Sequence, residues 1–195
     1  MRPPWDVLLL GGPSGVGKSM IAFELSRRFD ATLTAVDDLY VAVQRMTSPS
    51  EHPELHRWET EPEVIVALDD EGMLTHALAN AEEITLALEP VVAEHLGSSP
   101  PIVLEGDFLV PSLVTKDRYD DVENAGRVRG LFLLDDEDQL ARNFADREGE
   151  PQLRRARASA RYGEWLAAEC ERLGVPTVAA RPWETVLERA IAAAS

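Results

Sequence analysis

The residues from Gly12 to Ser19 carry the clearest chemical signal in the sequence, because they read glycine, four variable residues, glycine, lysine and serine. Glycines at these positions let backbone N–H groups curve around phosphate oxygens, and the N-terminal end of a following helix attracts negative charge. We expect Lys18 to reach the β- and γ-phosphates of a nucleotide and the Ser19 hydroxyl to bind Mg²⁺. The predicted nucleotide contacts are Gly12, Pro13, Ser14, Gly15, Val16, Gly17, Lys18, Ser19 and Met20.

Two adjacent carboxylates, Asp37 and Asp38, follow a short apolar run and are predicted to close the second strand. A carboxylate close to the γ-phosphate can orient an attacking hydroxyl or accept its proton. The alternative is that one aspartate only caps the next helix. We predict a catalytic or substrate-binding role for at least one of the pair, with Asp37 preferred.

A second acidic group follows the apolar run Ile102-Val103-Leu104, where the chain continues as Glu105-Gly106-Asp107. Carboxylates in this position can hold Mg²⁺, directly or through water, on the side opposite Ser19. The intervening glycine suggests that the backbone needs room beside a ligand. Glu105 and Asp107 are therefore predicted metal-site residues, and the alternative is a polar strand end that faces solvent.

Arginines are concentrated between residues 142 and 161. The planar guanidinium group matches phosphate geometry, and a cation brought to the γ-phosphate stabilises the charge that develops during transfer. We predict catalytic roles for Arg142 and Arg147 in a segment that closes over the triphosphate. The alternative is that the arginines balance nearby acids, and the other members of the group are Arg154, Arg155, Arg157 and Arg161.

Short apolar runs alternate with helical patterns, which is typical of a parallel sheet with crossover helices. The sequence predicts an α/β fold with five parallel strands, helices on both faces, and a single domain over residues 1–195. In such a sheet the carboxyl ends of the strands lie together, so the acids and the phosphate loop should meet there. Predicted strands cover residues 6–10, 32–36, 101–105, 128–134 and 176–180, and the main helices cover 17–29, 73–96, 137–146, 151–173 and 183–194.

Two segments have less certain assignments. Residues 47–63 contain three prolines and are predicted to form a loop or broken helix, where a substrate pocket could be built together with the long helix that follows. His52 and His56 within it have a spacing that suits a metal, but without further ligands in motif spacing a zinc site is not expected. The loop from Arg181 to Trp183 follows the last strand, and it either packs on an adenine ring or begins a helix.

The composition narrows the classes of partner. The formal net charge of −16 opposes binding to nucleic acid or to an anionic membrane, so neither is expected as a partner. The chain has a single cysteine, which fits a reducing compartment, and its apolar runs are too short to span a membrane, so a cytoplasmic location is expected. Only Lys18 and Lys116 are lysines, which makes a lysine within the glycine-rich loop more telling. The oligomeric state is left open.

The chain resembles small-molecule kinases of the P-loop superfamily. The resemblance rests on the phosphate loop and on residues 37–40 (Asp-Asp-Leu-Tyr) and 104–107 (Leu-Glu-Gly-Asp). The groups that it resembles are uridine kinase, the 2-phosphoglycerate kinase-like proteins and the chloramphenicol phosphotransferase-like proteins, without a match to one substrate subgroup. The resemblance implies a three-layer P-loop fold with strand order 2-3-1-4-5 and an arginine-bearing helical lid over about residues 142–161. It also implies a base or substrate anchor at Asp37 or Asp38.

Three functions remain in competition at this stage. The preferred one is a Mg²⁺-dependent kinase that moves the γ-phosphoryl group of ATP to a hydroxyl of a small molecule. The first alternative is a switch or mechanical nucleotidase, although the sequence contains neither an N-K-x-D-like nor an L-S-G-G-Q-like element. The second is a P-loop ATPase or nucleotide-binding regulatory module without a small-molecule acceptor.

Overall fold

A five-stranded parallel sheet forms the centre of the molecule in a computed structural model, which describes residues 3–97 and 100–195. Its strands are β1 (Val7–Gly11), β2 (Thr32–Ala35), β3 (Ile102–Glu105), β6 (Val128–Leu134) and β7 (Thr177–Ala179), and a separate antiparallel hairpin contains β4 (Arg118–Tyr119) and β5 (Val122–Glu123). The sheet order is β2-β3-β1-β6-β7. Counted within the sheet alone, this is the predicted order 2-3-1-4-5, and the predicted α/β fold class is confirmed.

Helices cover both faces of this sheet, as expected for a three-layer fold. They are α1 (Lys18–Phe29), α2 (Val36–Met46), α3 (Pro53–Thr60), α4 (Pro62–Ala67), α5 (Asp70–Gly97), α6 (Pro111–Val114), α7 (Glu137–Glu148), α8 (Leu153–Leu173) and α9 (Val186–Ala194), and a short 3₁₀ turn (Trp183–Thr185) precedes α9. Of the helices described, none has the length and apolar character needed to cross a membrane.

The alternation of side chains along β1 divides the interior into two clusters. Val7 and Leu9 pack with α5 and α8 on one face, whereas Leu8 and Leu10 pack with α1 and α9 on the other. All four side chains are fully buried, as expected for a parallel sheet covered on both sides, where successive residues point to opposite faces. The sheet is thereby clamped between two apolar layers, which gives its carboxyl edge a rigid support.

The structure decides one predicted assignment and corrects one predicted boundary. The proline-rich segment 47–63 is a broken helix, α3 followed by α4, and each piece starts with proline at the position where its missing N–H costs nothing. The predicted strand 32–36 ends at Ala35, because Val36 already begins α2. Asp37 and Asp38 consequently lie in the first turn of α2 rather than at the end of a strand, where their charges favour the helix N-terminus.

Candidate active site

The phosphate loop connects β1 to α1 and depends on glycine conformations. Gly12, Gly15 and Gly17 have φ angles of 141°, 85° and 97°, which other residues rarely adopt. At Gly12 an added Cβ would lie 2.3 Å from the backbone carbonyl oxygen of Leu133 in the neighbouring strand. The loop therefore follows its path only because these positions carry no side chain.

The N-terminus of α1 is open toward the loop. Gly17 precedes the helix without a side-chain cap, and the first turn of this described helix contains no acidic residue. Its N–H groups and the positive end of the helix dipole are available to a negatively charged ligand. An anionic group enclosed by residues 12–19 would be held by both the loop and the helix.

Lys18 and Ser19 each contact one of the two acids at the carboxyl end of β3. The Lys18 ammonium is buried; it donates to the carbonyl oxygen of Pro13 at 2.9 Å and forms an ion pair with Asp107. The Ser19 hydroxyl donates to Glu105 Oε1 at 2.9 Å. The two acids predicted from sequence thus lie beside the two polar side chains of the loop, although Asp107 pairs with the lysine in this structure.

Asp37, Glu105 and Asp107 form an acidic cluster around Lys18. Burial raises the pKa of the Glu105 carboxyl, while the Ser19 hydrogen bond and the Lys18 charge oppose the shift. Asp37 keeps access to solvent, yet desolvation raises its pKa as well. The charge of Asp107 raises this pKa further, and the charge of Lys18 lowers it. A cation or proton placed in this cluster would relieve the mutual repulsion of the carboxylates.

The glycine between these acids has a different role from the predicted one. An added Cβ on Gly106 would lie 2.7 Å from Cβ of Val36, so the space is taken by the first residue of α2 and not by a ligand. This close contact brings the start of α2 against the end of β3. The absence of a side chain at Gly106 therefore helps to place Asp37 near Glu105.

Two arginines lie over one aromatic ring beside the phosphate loop, and one of them contacts the loop. The guanidinium of Arg155 lies 4.6 Å from the centre of the buried Phe144 ring, and that of Arg147 lies 5.2 Å from it. Arg155 also donates to the Ser14 hydroxyl at 3.2 Å and forms an ion pair with Glu148 at 3.3 Å. Phe144 thus supports two cations at the rim of the phosphate site, one on α7 and one on α8.

The loop after β7 completes the opposite wall. Asn143 donates to the carbonyl oxygen of Gly15 at 2.9 Å and accepts from Arg181 at 3.1 Å. The Arg181 guanidinium lies 5.5 Å from the centre of the Trp183 ring, and this ring packs so closely on Gly17 that an added Cβ there would be 2.5 Å from Trp183 Cη2. Both faces of the phosphate loop are therefore lined by planar side chains.

These groups surround one cavity of about 670 Å³ at the carboxyl edge of the sheet. Four predicted residues, Gly12, Pro13, Asp38 and Arg142, do not line it; Arg142 instead donates to the Gln139 side chain at 3.0 Å. Asn143 and Asp146 line the cavity although no sequence signal had singled them out. It is also lined by Gly106, Arg155, Arg181 and Trp183, which the sequence had indicated only as parts of wider groups. The predicted residues that do line it are Ser14, Gly15, Val16, Gly17, Lys18, Ser19, Met20, Asp37, Glu105, Asp107 and Arg147.

The side-chain oxygen atoms that line the cavity suit Mg²⁺ that is bound together with phosphates. Across the described part of the chain, no group of three or more His, Cys, Asp or Glu side chains is arranged to hold a metal ion by itself. Mg²⁺ in nucleotide sites is commonly bound by one or two protein groups, with phosphates and waters as its remaining ligands. The Ser19 hydroxyl and the Glu105 carboxylate, hydrogen-bonded to each other, fit that smaller set.

Sequence comparisons relate the chain to one group of enzymes. It is 26% identical over 186 residues to 2-phosphoglycerate kinase of Methanocaldococcus jannaschii, an alignment that covers 88% of this chain and 57% of that protein. Relatives from other archaea have the same name. The chain spans 57% and 55% of the length of two of these relatives and 37% of a third. No family model matches the sequence.

Structural comparisons agree on the fold. A gluconokinase from Sinorhizobium meliloti 1021 is 21% identical to this chain, with a TM-score of 0.54. The alignment covers 100% of this chain and 93% of the gluconokinase chain. A sugar kinase from Janibacter sp. HTCC2649 is 17% identical to this chain, with a TM-score of 0.58. The alignment covers 97% of this chain and 94% of the sugar kinase chain. The sheet order and the phosphate loop are those of a P-loop fold, and the proteins that the chain resembles are named as small-molecule kinases.

Proposed function

We propose that this chain transfers the γ-phosphoryl group of ATP to a hydroxyl group of a small molecule, with Mg²⁺ as cofactor. One observation carries the proposal: the cavity brings the phosphate loop, the acidic cluster around Lys18 and the two arginines over Phe144 to the same edge of the sheet. A protein that only binds nucleotide has no need of a carboxylate such as Asp37 beside the place of the terminal phosphate.

Positive groups would stabilise the phosphoryl group as it moves. Lys18 is anchored in the loop, and Arg147 and Arg155 approach from the helices α7 and α8. Fixed cations aimed at developing charge act without reorganisation, which makes them effective in a partly desolvated site. On nucleotide binding, phosphate oxygens would replace the Asp107 carboxylate as the partner of Lys18.

Asp37 is the preferred group for the acceptor hydroxyl. As the hydroxyl oxygen forms a bond to the γ-phosphorus, the bond from that phosphorus to the ADP oxygen breaks. The hydroxyl proton passes to the Asp37 carboxylate, and the products are ADP and a phosphomonoester. Asp38 lies outside the cavity and is the weaker candidate.

Magnesium would be held by Ser19, and by Glu105 directly or through water. Bound with ATP, it would neutralise phosphate charge and hold the β- and γ-phosphates in one geometry. Asp107 is the second acidic group within reach once Lys18 has turned to the nucleotide. On the other side of the loop, the Arg181 guanidinium and the Trp183 ring suit the adenine base, whose flat faces can stack on them.

The names of the relatives suggest 2-phosphoglycerate as the first acceptor to test. A coupled ADP-release assay with ATP and Mg²⁺ would compare it with sugars, hydroxy acids, nucleosides and uncharged alcohols. Stimulation of ADP release by at least one acceptor, lost in Lys18→Ala, would support the proposal. Release at an unchanged rate with every acceptor, alongside tight ATP binding, would instead indicate a nucleotide-binding module.

A further inference from the structure

A second cavity, of about 540 Å³, opens beside the phosphate site between α3–α5 and α8. It shares Ser14, Asp107 and Arg155 with the first cavity, so a molecule inside it would border the place of the γ-phosphate. Its volume is within the usual range for small-molecule sites. A phosphoryl acceptor would fit this position, which makes the chemistry of the walls informative about the substrate.

Positive charge exceeds negative charge along the walls of this second cavity. Among the described residues that line it, Asp107 is the one carboxylate, and it is paired with Lys18. Arg155 lies 3.3 Å from Glu148 Oε1, but Arg147 pairs with the same oxygen at 2.9 Å. One negative charge is thereby shared between two guanidinium groups. An anion that entered the cavity would meet positive charge that no protein carboxylate cancels.

Arg154 is the cation of the second cavity that has no acidic partner among the described residues. Its Nη2 atom donates to the carbonyl oxygens of Leu68 at 2.7 Å and Ile65 at 3.4 Å, at the end of α4. These contacts hold the side chain in place, but no acid neutralises its charge. Its Nε and Nη1 atoms make no hydrogen bond within the described part of the chain, so they are available to a ligand.

The remaining walls of the second cavity are mostly apolar. Phe108, Tyr162 and Trp58 contribute rings, and the Tyr162 hydroxyl already donates to a backbone carbonyl oxygen. Trp58 is 48% exposed at the mouth although its ring is large, while Met73 and the fully buried Ile65 add aliphatic surface. A ligand with an apolar body would remove this surface from water, which favours its binding.

The two arginines of the second cavity differ in their position relative to the nucleotide. Arg155 also lines the first cavity and contacts Ser14 of the phosphate loop, so it belongs to the transferring phosphoryl group. Arg154 lines the second cavity alone and is left for the acceptor. A guanidinium matches a carboxylate through charge-assisted hydrogen bonds. The net charge of −16 does not cancel this attraction, because salt largely screens exposed charges separated by more than about 10 Å.

From this arrangement we infer that the acceptor is a hydroxy acid with one carboxylate and an apolar, flat body. Arg154 binds the carboxylate, and the body lies against Trp58, Phe108 and Tyr162. The hydroxyl points past Asp107 toward the γ-phosphate. The inference rests on the proposed kinase function and deepens it by naming the substrate class. Arg154 is in this account the residue that determines specificity for the acceptor.

Matched pairs of probes test the inference. 4-(Hydroxymethyl)benzoate and its amide differ in one negative charge, as do mandelate and mandelamide, whose hydroxyl lies closer to the charged group. Glycerate has the carboxylate and hydroxyls without the ring. Ligand-observed NMR titrations with Mg²⁺ and a non-hydrolysable ATP analogue, which fills the phosphate loop, would give each Kd. We expect at least one aromatic acid to bind about tenfold or more tightly than its amide and than glycerate, the usual scale for hydrogen bonds to a charged group.

Substitution of Arg154 tests its assigned role. Arg154→Gln should raise the Kd of the preferred aromatic acid about tenfold or more and leave that of its amide within about twofold, because only the acid loses an ionic partner. A merely structural role would weaken both probes together. Arg154→Lys should keep part of the preference, since it keeps the charge. Arg157→Gln is the control on the same helix, because Arg157 is exposed and does not line the second cavity.

Cavity variants locate the bound probe. Ala77→Phe should raise the Kd of acid and amide alike, about tenfold or more, because the added ring fills the apolar space. Leu86→Phe on the same helix is the control, since Leu86 is 66% exposed and does not line the second cavity. Trp58→Ala should also weaken both probes, and its truncation at the exposed mouth disturbs little of the core.

The outcomes separate this inference from the proposed function. The inference is overturned if neither aromatic acid binds, if each amide binds as tightly as its acid, or if Arg154→Gln leaves the preference unchanged. Tighter binding of glycerate or 2-phosphoglycerate than of both aromatic acids would also overturn it. Phosphorylation of any alcohol in those cases would leave the kinase proposal intact. Acid binding that depends on Arg154, with only inorganic phosphate formed from ATP, would support the ligand class and contradict the kinase proposal.

Discussion

At the scale of residues, the site is an acidic cluster organised around one lysine. Asp37, Glu105 and Asp107 come from two segments of the chain, and their shared neighbour is the buried Lys18 ammonium. Desolvation raises the pKa of both Asp37 and Glu105, so these groups hold protons more tightly than exposed carboxylates do. This electrostatic strain is what a kinase site would relieve on binding Mg²⁺ and a hydroxyl proton.

We expect Asp37→Asn to lower kcat by about 10²–10⁴-fold, the usual contribution of a positioned general base. ATP affinity should change little, because the phosphate loop is intact. The raised pKa of Asp37 also predicts that the acidic limb of the pH–rate profile lies above the ordinary value of 3.8 and disappears in the variant. Steady-state kinetics across pH would check this, and Asp38→Asn with the same loss would contradict the preference for Asp37.

The same substitution should stabilise the fold near neutral pH. Because the pKa of Asp37 is raised in the folded state, the folded protein binds its proton more tightly than the unfolded chain, and ionisation costs stability as pH rises. Asp37→Asn should therefore raise Tm only slightly at pH 7, since solvent screens this exposed carboxylate and its charge also favours the N-terminus of α2. The gain should vanish below about pH 3.8; a lower Tm at neutral pH would count against the assigned strain.

Arg155 is the arginine on which we expect turnover to depend most clearly. Replacing it with alanine should lower kcat by roughly 100-fold or more, since a fixed donor to the transferring group is lost. Arg157→Ala is the matched control on α8, because Arg157 is exposed, lies 3.7 Å from Glu137 and does not line the cavity. Equal kinetics for the two variants would show that the arginines of α8 serve only to balance surface charge.

At the scale of elements, the phosphate loop depends on the strand beside it. Gly12→Ala would place a Cβ against the carbonyl oxygen of Leu133, and a backbone atom in a central strand cannot move aside cheaply. Because this contact adds to the unfavourable φ, we expect the free energy of unfolding to fall by about 1–3 kcal/mol and ATP to bind more weakly. Urea unfolding and ATP titration would measure both, with Gly149→Ala as control for positive φ without a steric conflict.

The loop and the sheet could be predicted from sequence because their signals are local. Residues 12–19 follow a fixed spacing, and the apolar runs of β1, β3 and β6 stand out from their surroundings. The predicted strand end at Val36 was wrong because a valine suits a strand or a helix. The burial of Val36 against Gly106 decides that α2 begins there. Propensity over a few residues does not include that tertiary contact.

The remaining part of the site depends on contacts between distant segments. Asn143 is hydrogen-bonded to Gly15, which lies 128 positions away in the sequence, and Arg155 to Ser14, which lies 141 positions away. No spacing rule connects such pairs, so the sequence singled out Arg142 in a run of arginines whose orientation it does not specify. The helical phase of α7 turns Arg142 toward Gln139 and Asn143 toward the loop.

At the scale of the whole molecule, two cavities meet at one edge of a rigid sheet. One contains the phosphate loop and is lined by many polar groups, the other has mostly apolar walls, and Asp107 lines both. In α/β proteins this edge is where ligands collect, because loops from several strands converge there. The proposed phosphate transfer would take place at this edge.

The central claim, phosphoryl transfer from ATP to a hydroxyl, is tested most directly by phosphorus NMR of the reaction mixture. The protein would be incubated with ATP, Mg²⁺ and a mixed set of charged and uncharged alcohols. We predict a new phosphomonoester signal that grows in equal amount with ADP and is absent for Lys18→Ala. ADP formed only with an equal amount of inorganic phosphate, or undiminished transfer by Lys18→Ala, would contradict the account.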